Sequence, residues 1–246
     1  MSAVIDASSL LRPGLLDGVS VLVAAASELA PDESALPAEE GDSFARAVAS
    51  TCAQLGAGVS PWRSQDPVDA QIDLLVVDAA GAFALVGAGA SDGRAAVGGA
   101  RDALRVCLDG AWEASRTVAN AAFIEPGRAG RIVYLAPAST VAPGPSLDPS
   151  ATAQPAQSAE YADAARAGLE NLSRTLSIEW ARYGITLVTI APGDRTSTGE
   201  VAAVTAFLGS PAGAYFSGCL FDLRGLAGVP AAPGPWARQR SDQNRD

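Results

Sequence analysis

Short apolar runs alternate with longer amphipathic stretches along most of the chain. Val19-Ser-Val-Leu-Val23 follows the turn-like pair Asp17-Gly18 and predicts a first buried strand. Residues 24 to 42 are rich in Ala, Pro and acidic side chains without a sustained period, which predicts a long loop. From Ser43 to Leu55, the residues Phe44, Val48, Thr51, Cys52 and Leu55 recur at helical spacing, with Ser43 as a candidate N-cap and Gly56 as a stop. Ile72-Asp-Leu-Leu-Val-Val77 is the clearest buried strand. A Gly/Ala-rich stretch follows, then a helix from about Gly99 to Phe123 and a strand over Arg131–Ala136. Residues 137 to 158, rich in Pro, Ser, Thr and Ala, read as a flexible loop. A helix from about Ala159 to Tyr183 stops at Gly184. A strand over Ile185–Ile190 ends at Pro192-Gly193, and a short helix (Glu200–Leu208) and a last strand (Cys219–Leu223) complete the pattern.

Strands alternating with helices imply an α/β domain with a mainly parallel sheet. The expected domain is single and spans residues 1–228. The Pro-rich, then polar tail 229–246 is expected to be disordered.

The net charge of -10, with 17 Lys and Arg that never form a block, argues against nucleic-acid or anionic-membrane partners. No apolar run is long enough for a membrane span, and no leader pattern opens the chain, so a cytoplasmic location is expected. Cys52, Cys107 and Cys219 are widely separated and give no metal spacing. The chain has no histidine, which removes Ser–His and Cys–His mechanisms and His-ligated metal sites.

Several motifs in order resemble the second half of a short-chain dehydrogenase/reductase. They are Gly130-Arg-Ile-Val-Tyr-Leu135, the long run from Arg166-Ala-Gly-Leu through Trp180-Ala-Arg-Tyr-Gly to Ala191-Pro-Gly193, the stretch Val201–Ser210, and Ser217-Gly-Cys-Leu-Phe-Asp-Leu-Arg-Gly225. Asp73-Leu-Leu-Val-Val-Asp-Ala-Ala-Gly81 resembles the family's fourth strand with its N-N-A-G motif. The likeness covers most of residues 15 to 226 and implies a Rossmann-like, doubly wound parallel sheet, with NAD(P) as cofactor if the family's chemistry is kept.

The functional motifs fit that family poorly. Its T-G-x-x-x-G-x-G loop falls on Ala25, Ser43 and Ala45, with the first two positions about eighteen residues apart instead of four. The insertion carries Glu28, Asp32, Glu33, Glu39, Glu40 and Asp42, and carboxylates within a Debye length of about 8–10 Å repel a pyrophosphate. The segment between Val59 and Asp73 is too short for another helix and strand, so the sheet is expected to be shortened on the adenine side, and Arg63 there reads as an ordinary surface arginine.

In the family's Asn-Ser-Tyr-Lys tetrad, the Tyr donates a proton and the Lys lowers its pKa. The resemblance places Cys107 at the Asn position and Pro137 at the Ser position. Counting from Tyr161 puts Ala165 at the Lys position. Counting back from Leu172 instead puts Ala162 and Arg166 at the Tyr and Lys positions. Tyr161 and Arg166 are five apart, about 140° around a helix, and share a face only through an irregularity such as a π-bulge. Pro192-Gly-Asp-Arg-Thr-Ser-Thr-Gly199 runs almost directly into the next helix, without the family's substrate lid.

No catalytic, cofactor or metal site is therefore expected. Ser139, Tyr161 and Arg166 are the only substitutes for a tetrad.

The family's helical dimer face looks retained in Leu104, Leu108, Trp112, Leu169, Leu172, Leu176 and Trp180, and a second face in Phe207, Phe216, Leu220 and Phe221. The expectation is a non-catalytic subunit paired with an active short-chain dehydrogenase, a kind of hetero-oligomer the family contains. The alternatives are an atypical NAD(P)-dependent oxidoreductase, or a small-molecule-binding protein that reuses the cleft.

Overall fold

Strands buried on both faces need helices on both sides, and the chain supplies them. The structure, a computed structural model, describes residues 11–29, 43–69, 71–88, 96–138 and 154–224. Among these, six strands form one parallel sheet: β1 (Ser20–Ala24), β2 (Gly58–Pro61), β3 (Leu74–Val77), β4 (Gly130–Leu135), β5 (Ile185–Ala191) and β6 (Cys219–Asp222). Their order is β2-β1-β3-β4-β5-β6. The helices are α1 (Ala26–Leu29), α2 (Phe44–Gln54), α3 (Ala79–Ala88), α4 (Ala96–Val118), α5 (Gln154–Glu179) and α6 (Thr198–Gly209).

Alternation along each strand sorts the core into two layers. Val21, Val23, Leu74, Val76, Val133, Leu135, Val188 and Ile190 pack with residues of α2 and α6. Leu22, Ala24, Leu75, Val77, Ile132, Tyr134 and Leu187 pack with residues of α4 and α5. The register is continuous, with Val21 opposite both Val59 and Leu74, and Val77 opposite Tyr134. Strand order reverses at β1, which places a crevice outside the C-terminal ends of β1 and β3, where such sheets bind ligands.

The sheet stops at β2, as the short 59–73 segment implied. Residues 62–73 connect β2 to β3 with no helix or strand among those described. Trp62, Val68 and Ile72 instead belong to the layer that covers Leu22. The Trp62 N–H donates to the Val23 carbonyl at 2.8 Å, extending the pairing one residue past β2.

Four elements differ from the sequence reading, the first being α1 (Ala26–Leu29), a short helix at the start of the stretch 24–42 read as a loop. The Gly/Ala-rich stretch after β3 is the helix α3, which has almost no polar face and hence no amphipathic signature. The helix assigned to about 99–123 is α-helical only to Val118, and Ala119–Ile124 form a π turn. There Glu125 N–H donates to Asn120 and Arg128 N–H to Phe123, at 3.0 and 2.8 Å. α5 begins at Gln154, earlier than Ala159. A 3-10 turn (Ala181–Tyr183) leads to the expected stop at Gly184, which adopts φ 72°.

α6 starts right after residues 192–197, with Ser197 and Glu200 forming a reciprocal capping box. Segment 30–42, Ser139 and the tail 229–246 lie outside the described residues. No described helix is long and apolar enough to cross a membrane, and no described group of three His, Cys, Asp or Glu side chains could hold a metal.

Candidate functional site

The C-terminal ends of β3 and β4 open onto a cleft of about 590 Å³, bordered by Ser43, Phe44, Asp78, Gly81, Pro137 and Ala162. The first of these residues cap α2. Ser43 Oγ accepts the Arg46 N–H at 3.2 Å, as its N-cap position implied. Asp78, directly after β3 and 2% exposed, accepts the Gly81 N–H at 2.9 Å, and the Ala45 N–H lies close enough to its carboxyl to favour the charged form. Ala45 is at the second position of α2, where a helix offers unpaired N–H groups to an anion. The Ser43 side chain thus takes one donor at the start of α2, and the Asp78 carboxyl lies beside another.

Sequence reasoning did not single out Asp78. Its signal was the placement of an Asp three residues before Gly81 at a strand-to-helix junction, a common capping arrangement. Its contact with Ala45 joins segments that nothing local connects.

The chain leaving β1 also turns into this region. Ala25 is followed at once by α1, which packs on α3 and α4. A Cβ on Gly81 would lie 2.8 Å from Ala26 Cβ, and one on Gly110 would lie 3.0 Å from the Leu29 backbone and side chain. Leu29, 4% exposed, joins the core layer under α4. The glycine positions of the family's loop are therefore an alanine beside α1 (Ala25), a helix cap (Ser43) and a buried helix residue (Ala45).

Two of the positions that the resemblance matches to the tetrad, Pro137 and Ala162, border the cleft. Ala165 is fully buried in the core, whereas Arg166, one turn after Ala162, is 5% exposed. Of the two counts along α5, one places at the Tyr position Ala162, which lines the cleft, and the other Tyr161, which does not. α5 is α-helical throughout, so Tyr161 is turned away from Arg166 and does not border the cleft. The π irregularity in this fold lies after α4 instead. Arg63 is well exposed and sits 3.9 Å from Asp66.

Cys107 is fully buried, and its thiol is pushed up to about 12 by burial and then by the charge of Asp78. Cys52 is raised to about 12 by burial alone. Cys219 on β6 is only partly buried. Thiolate is the reactive form. A maleimide at neutral pH is therefore expected to modify Cys219 in the folded chain and all three thiols after denaturation, as read by intact mass. Rapid modification of Cys107 in the folded chain would overturn this assignment.

Burial is the largest influence on Asp78 and raises its pKa; the nearby N–H groups of Gly81 and Ala45 offset this only in part. A carboxyl group raised in the folded state contributes stability that is fully present below its unfolded value, near 3.9, and lost as pH climbs through the folded value. Asp78→Asn keeps an acceptor for the Gly81 N–H and does not ionise. Its urea midpoint should rise relative to that of the native chain as pH climbs above the unfolded value, near 3.9. Parallel midpoints above that value would show that Asp78 does not carry this cost.

The faces expected to meet a partner divide in two. Leu169 and Leu176 are 0% and 2% exposed within the chain's own core, so their inclusion in an interface is corrected: they point at the sheet. Leu104, Leu108, Leu172 and Trp180 are partly buried against the same layer, and Trp112 is 40% exposed. Trp112 and Trp180 stack across α4 and α5 with centroids 6.4 Å apart. At the other end, Phe216 packs against both Phe207 and Phe221, at 5.9 and 5.2 Å, and Leu220 is partly buried.

No protein-family model matches the sequence, and no curated protein is similar to it. Solved structures do match. The citronellol catabolism dehydrogenase of Pseudomonas aeruginosa PAO1 aligns over 87% of this chain and 96% of its own, with a TM-score of 0.57 and 22% identity. A protein described as an NAD(P)-dependent gluconate 5-dehydrogenase from Beutenbergia cavernae, solved with NADP at low occupancy, aligns over 86% and 97%, with a TM-score of 0.55 and 22% identity. A hydroxysteroid dehydrogenase from Escherichia coli aligns over 86% and 98%, with a TM-score of 0.53 and 16% identity. The fold is the dehydrogenase fold of these proteins. The Rossmann-like architecture implied by the motif resemblance is therefore present.

Proposed function

We propose that this chain is a non-catalytic subunit that pairs with an active dehydrogenase of the same fold. The observation that carries the reading is Asp78, a buried carboxyl that accepts the Gly81 N–H and lies beside the Ala45 N–H at the start of α2. In this reading the group stands at the kind of helix start to which a dinucleotide pyrophosphate binds in such folds. Pro137 and Ala162 add to the reading, because neither offers a hydroxyl to orient or protonate a carbonyl.

What the chain retains is an assembly face. Trp112 is partly exposed over Trp180, and Ile178 is 78% exposed on α5, so large apolar groups reach the surface of the α4–α5 layer. Aromatic anchors of this kind dominate interface energetics. An active dehydrogenase of like fold presents the equivalent helices and would match the face in shape.

The test is co-expression with dehydrogenases encoded beside it, followed by purification through a tag on this chain and mass measurement of the complex. A stoichiometric complex with one such dehydrogenase is expected, and calorimetry of this chain alone with NADH and NADPH should show no saturable binding below about millimolar concentration. Micromolar dinucleotide binding would restore the NAD(P)-dependent oxidoreductase reading. Recovery of only monomers or self-assembled oligomers would remove the subunit reading.

A further inference from the structure

Arg166 is 5% exposed, yet among the described residues neither Nη1 nor Nη2 has a hydrogen-bond partner. Arginine stays protonated and presents its donors in a fixed planar fork. Donors of a charged group withdrawn from water and left unmatched are costly, more so than those of a neutral group.

The neighbouring charges do not resolve this. Asp222, at the end of β6, is already committed to Arg224: its Oδ1 accepts Nε at 2.8 Å and the backbone N–H at 3.0 Å, and its Oδ2 accepts Nη2 at 2.6 Å. Asp163 lies three residues before Arg166 on α5, is exposed, and acts on Arg166 through its field. Arg224 adds a second positive charge. Burial first, and Arg224 next, push the Arg166 pKa down, the direction that a bound anion would reverse.

The position is one where ligands bind in doubly wound sheets. Arg166 is one turn beyond Ala162, which lines the cleft. Arg224 follows β6, and its Cα lies 2.9 Å from where a Cβ on Gly193 would be, just past β5. The geometry points to an anion subsite: the Arg166 fork receives the carboxylate or phosphate group of a small ligand whose body lies along the cleft beside Phe44, Phe83 and Pro137. A planar pair of oxygens satisfies both terminal nitrogens at once, which a water or a hydroxyl does not. The role is binding only, with no proton transferred, and it holds whether or not the chain pairs with another subunit.

The test compares thermal unfolding of the native chain, Arg166→Lys and Arg166→Met in chloride, butyrate and inorganic phosphate at equal ionic strength. In chloride, Arg166→Met should melt roughly 2–4 °C above the native chain, because an apolar side chain replaces an unmatched buried charge. Butyrate or phosphate should stabilise the native chain saturably, act at least about ten-fold more weakly on Arg166→Lys, which lacks the fork, and leave Arg166→Met unmoved. Whichever anion saturates at the lower concentration identifies the group as carboxylate or phosphate. Equal shifts in the native and Met chains, or no saturable shift with either anion, would overturn the assignment. So would an Arg166→Met chain that melts lower than the native chain in chloride or fails to fold, because Arg166 would then be satisfied within the protein.

Discussion

Phe123→Ala should be among the most damaging single changes in this chain, costing about 3–5 kcal/mol of folding stability. The ring is fully buried and is carried by the π turn that follows α4. It lies directly over Gly130, the first residue of β4: a Cβ there would approach three ring carbons within 2.4–2.5 Å. Gly130→Ala alone should therefore overpack the site and cost about 1–3 kcal/mol.

The two changes should not add. With the ring removed, the new methyl group enters the space it left, and the strand position loses the entropic penalty of glycine. Gly130→Ala is then expected to be neutral or stabilising in the Phe123→Ala background, with a coupling of about 1–3 kcal/mol in a urea double-mutant cycle. Additive costs would mean that the ring does not set the identity of residue 130. The consequence reaches the cleft, since β4 runs from Gly130 to Leu135 and delivers Pro137 to it.

Trp112→Glu is the second large expected effect, and it falls on assembly rather than folding. In the isolated chain the tryptophan is 40% exposed and its main aromatic contact is the stack on Trp180. Its loss should change monomer stability by no more than about 1.5 kcal/mol. In the proposed complex the same change places a carboxylate at the centre of an apolar face and should weaken association about 30-fold or more, the cost typical of a hot-spot residue. Size-exclusion chromatography with light scattering of the co-expressed pair reads this directly. Leu169→Ala should do the reverse, destabilising the chain itself by about 2–5 kcal/mol because Leu169 is core. If Trp112→Glu leaves the complex intact, the α4–α5 face is not where the partner binds.

The parts of the fold legible in the sequence were those written in local pattern. The apolar runs at Val19, Ile72, Arg131 and Ile185 gave strands because parallel strands are buried on both faces. The short span between Val59 and Asp73 foretold a sheet that ends at β2, since chain length alone decides what can fit. α3 escaped notice because Ala79–Ala88 is apolar on all sides, and a helix without a polar face has no period to read.

The tetrad positions could be counted from the motifs, but the count left two registers open for α5, because Tyr161 and Arg166 are five residues apart. Ala165 belongs to the core, and Ala162 lines the cleft. The Asp78–Ala45 contact was not legible. It depends on the chain between β1 and α2 bringing a helix start back to the end of β3, a long-range fact with no local trace. The unmatched guanidinium of Arg166 is likewise a property of its surroundings. Sequence shows an arginine on a helix and nothing of what fails to meet it.

The truncation of the sheet leaves an edge that must not recruit other chains. Gly58 and Trp62 donate their N–H groups inward, to Val19 and Val23 of the β1 side, so the alternate residues Val59 and Pro61 face outward. Proline has no N–H to offer, which leaves Val59 as the outward donor within β2. An intruding strand would find a template only four residues long and half stripped of donors. Pro61 therefore acts as a terminator of cross-strand addition, and Pro61→Val is the change by which this otherwise well-mannered surface would acquire a capacity for aggregation.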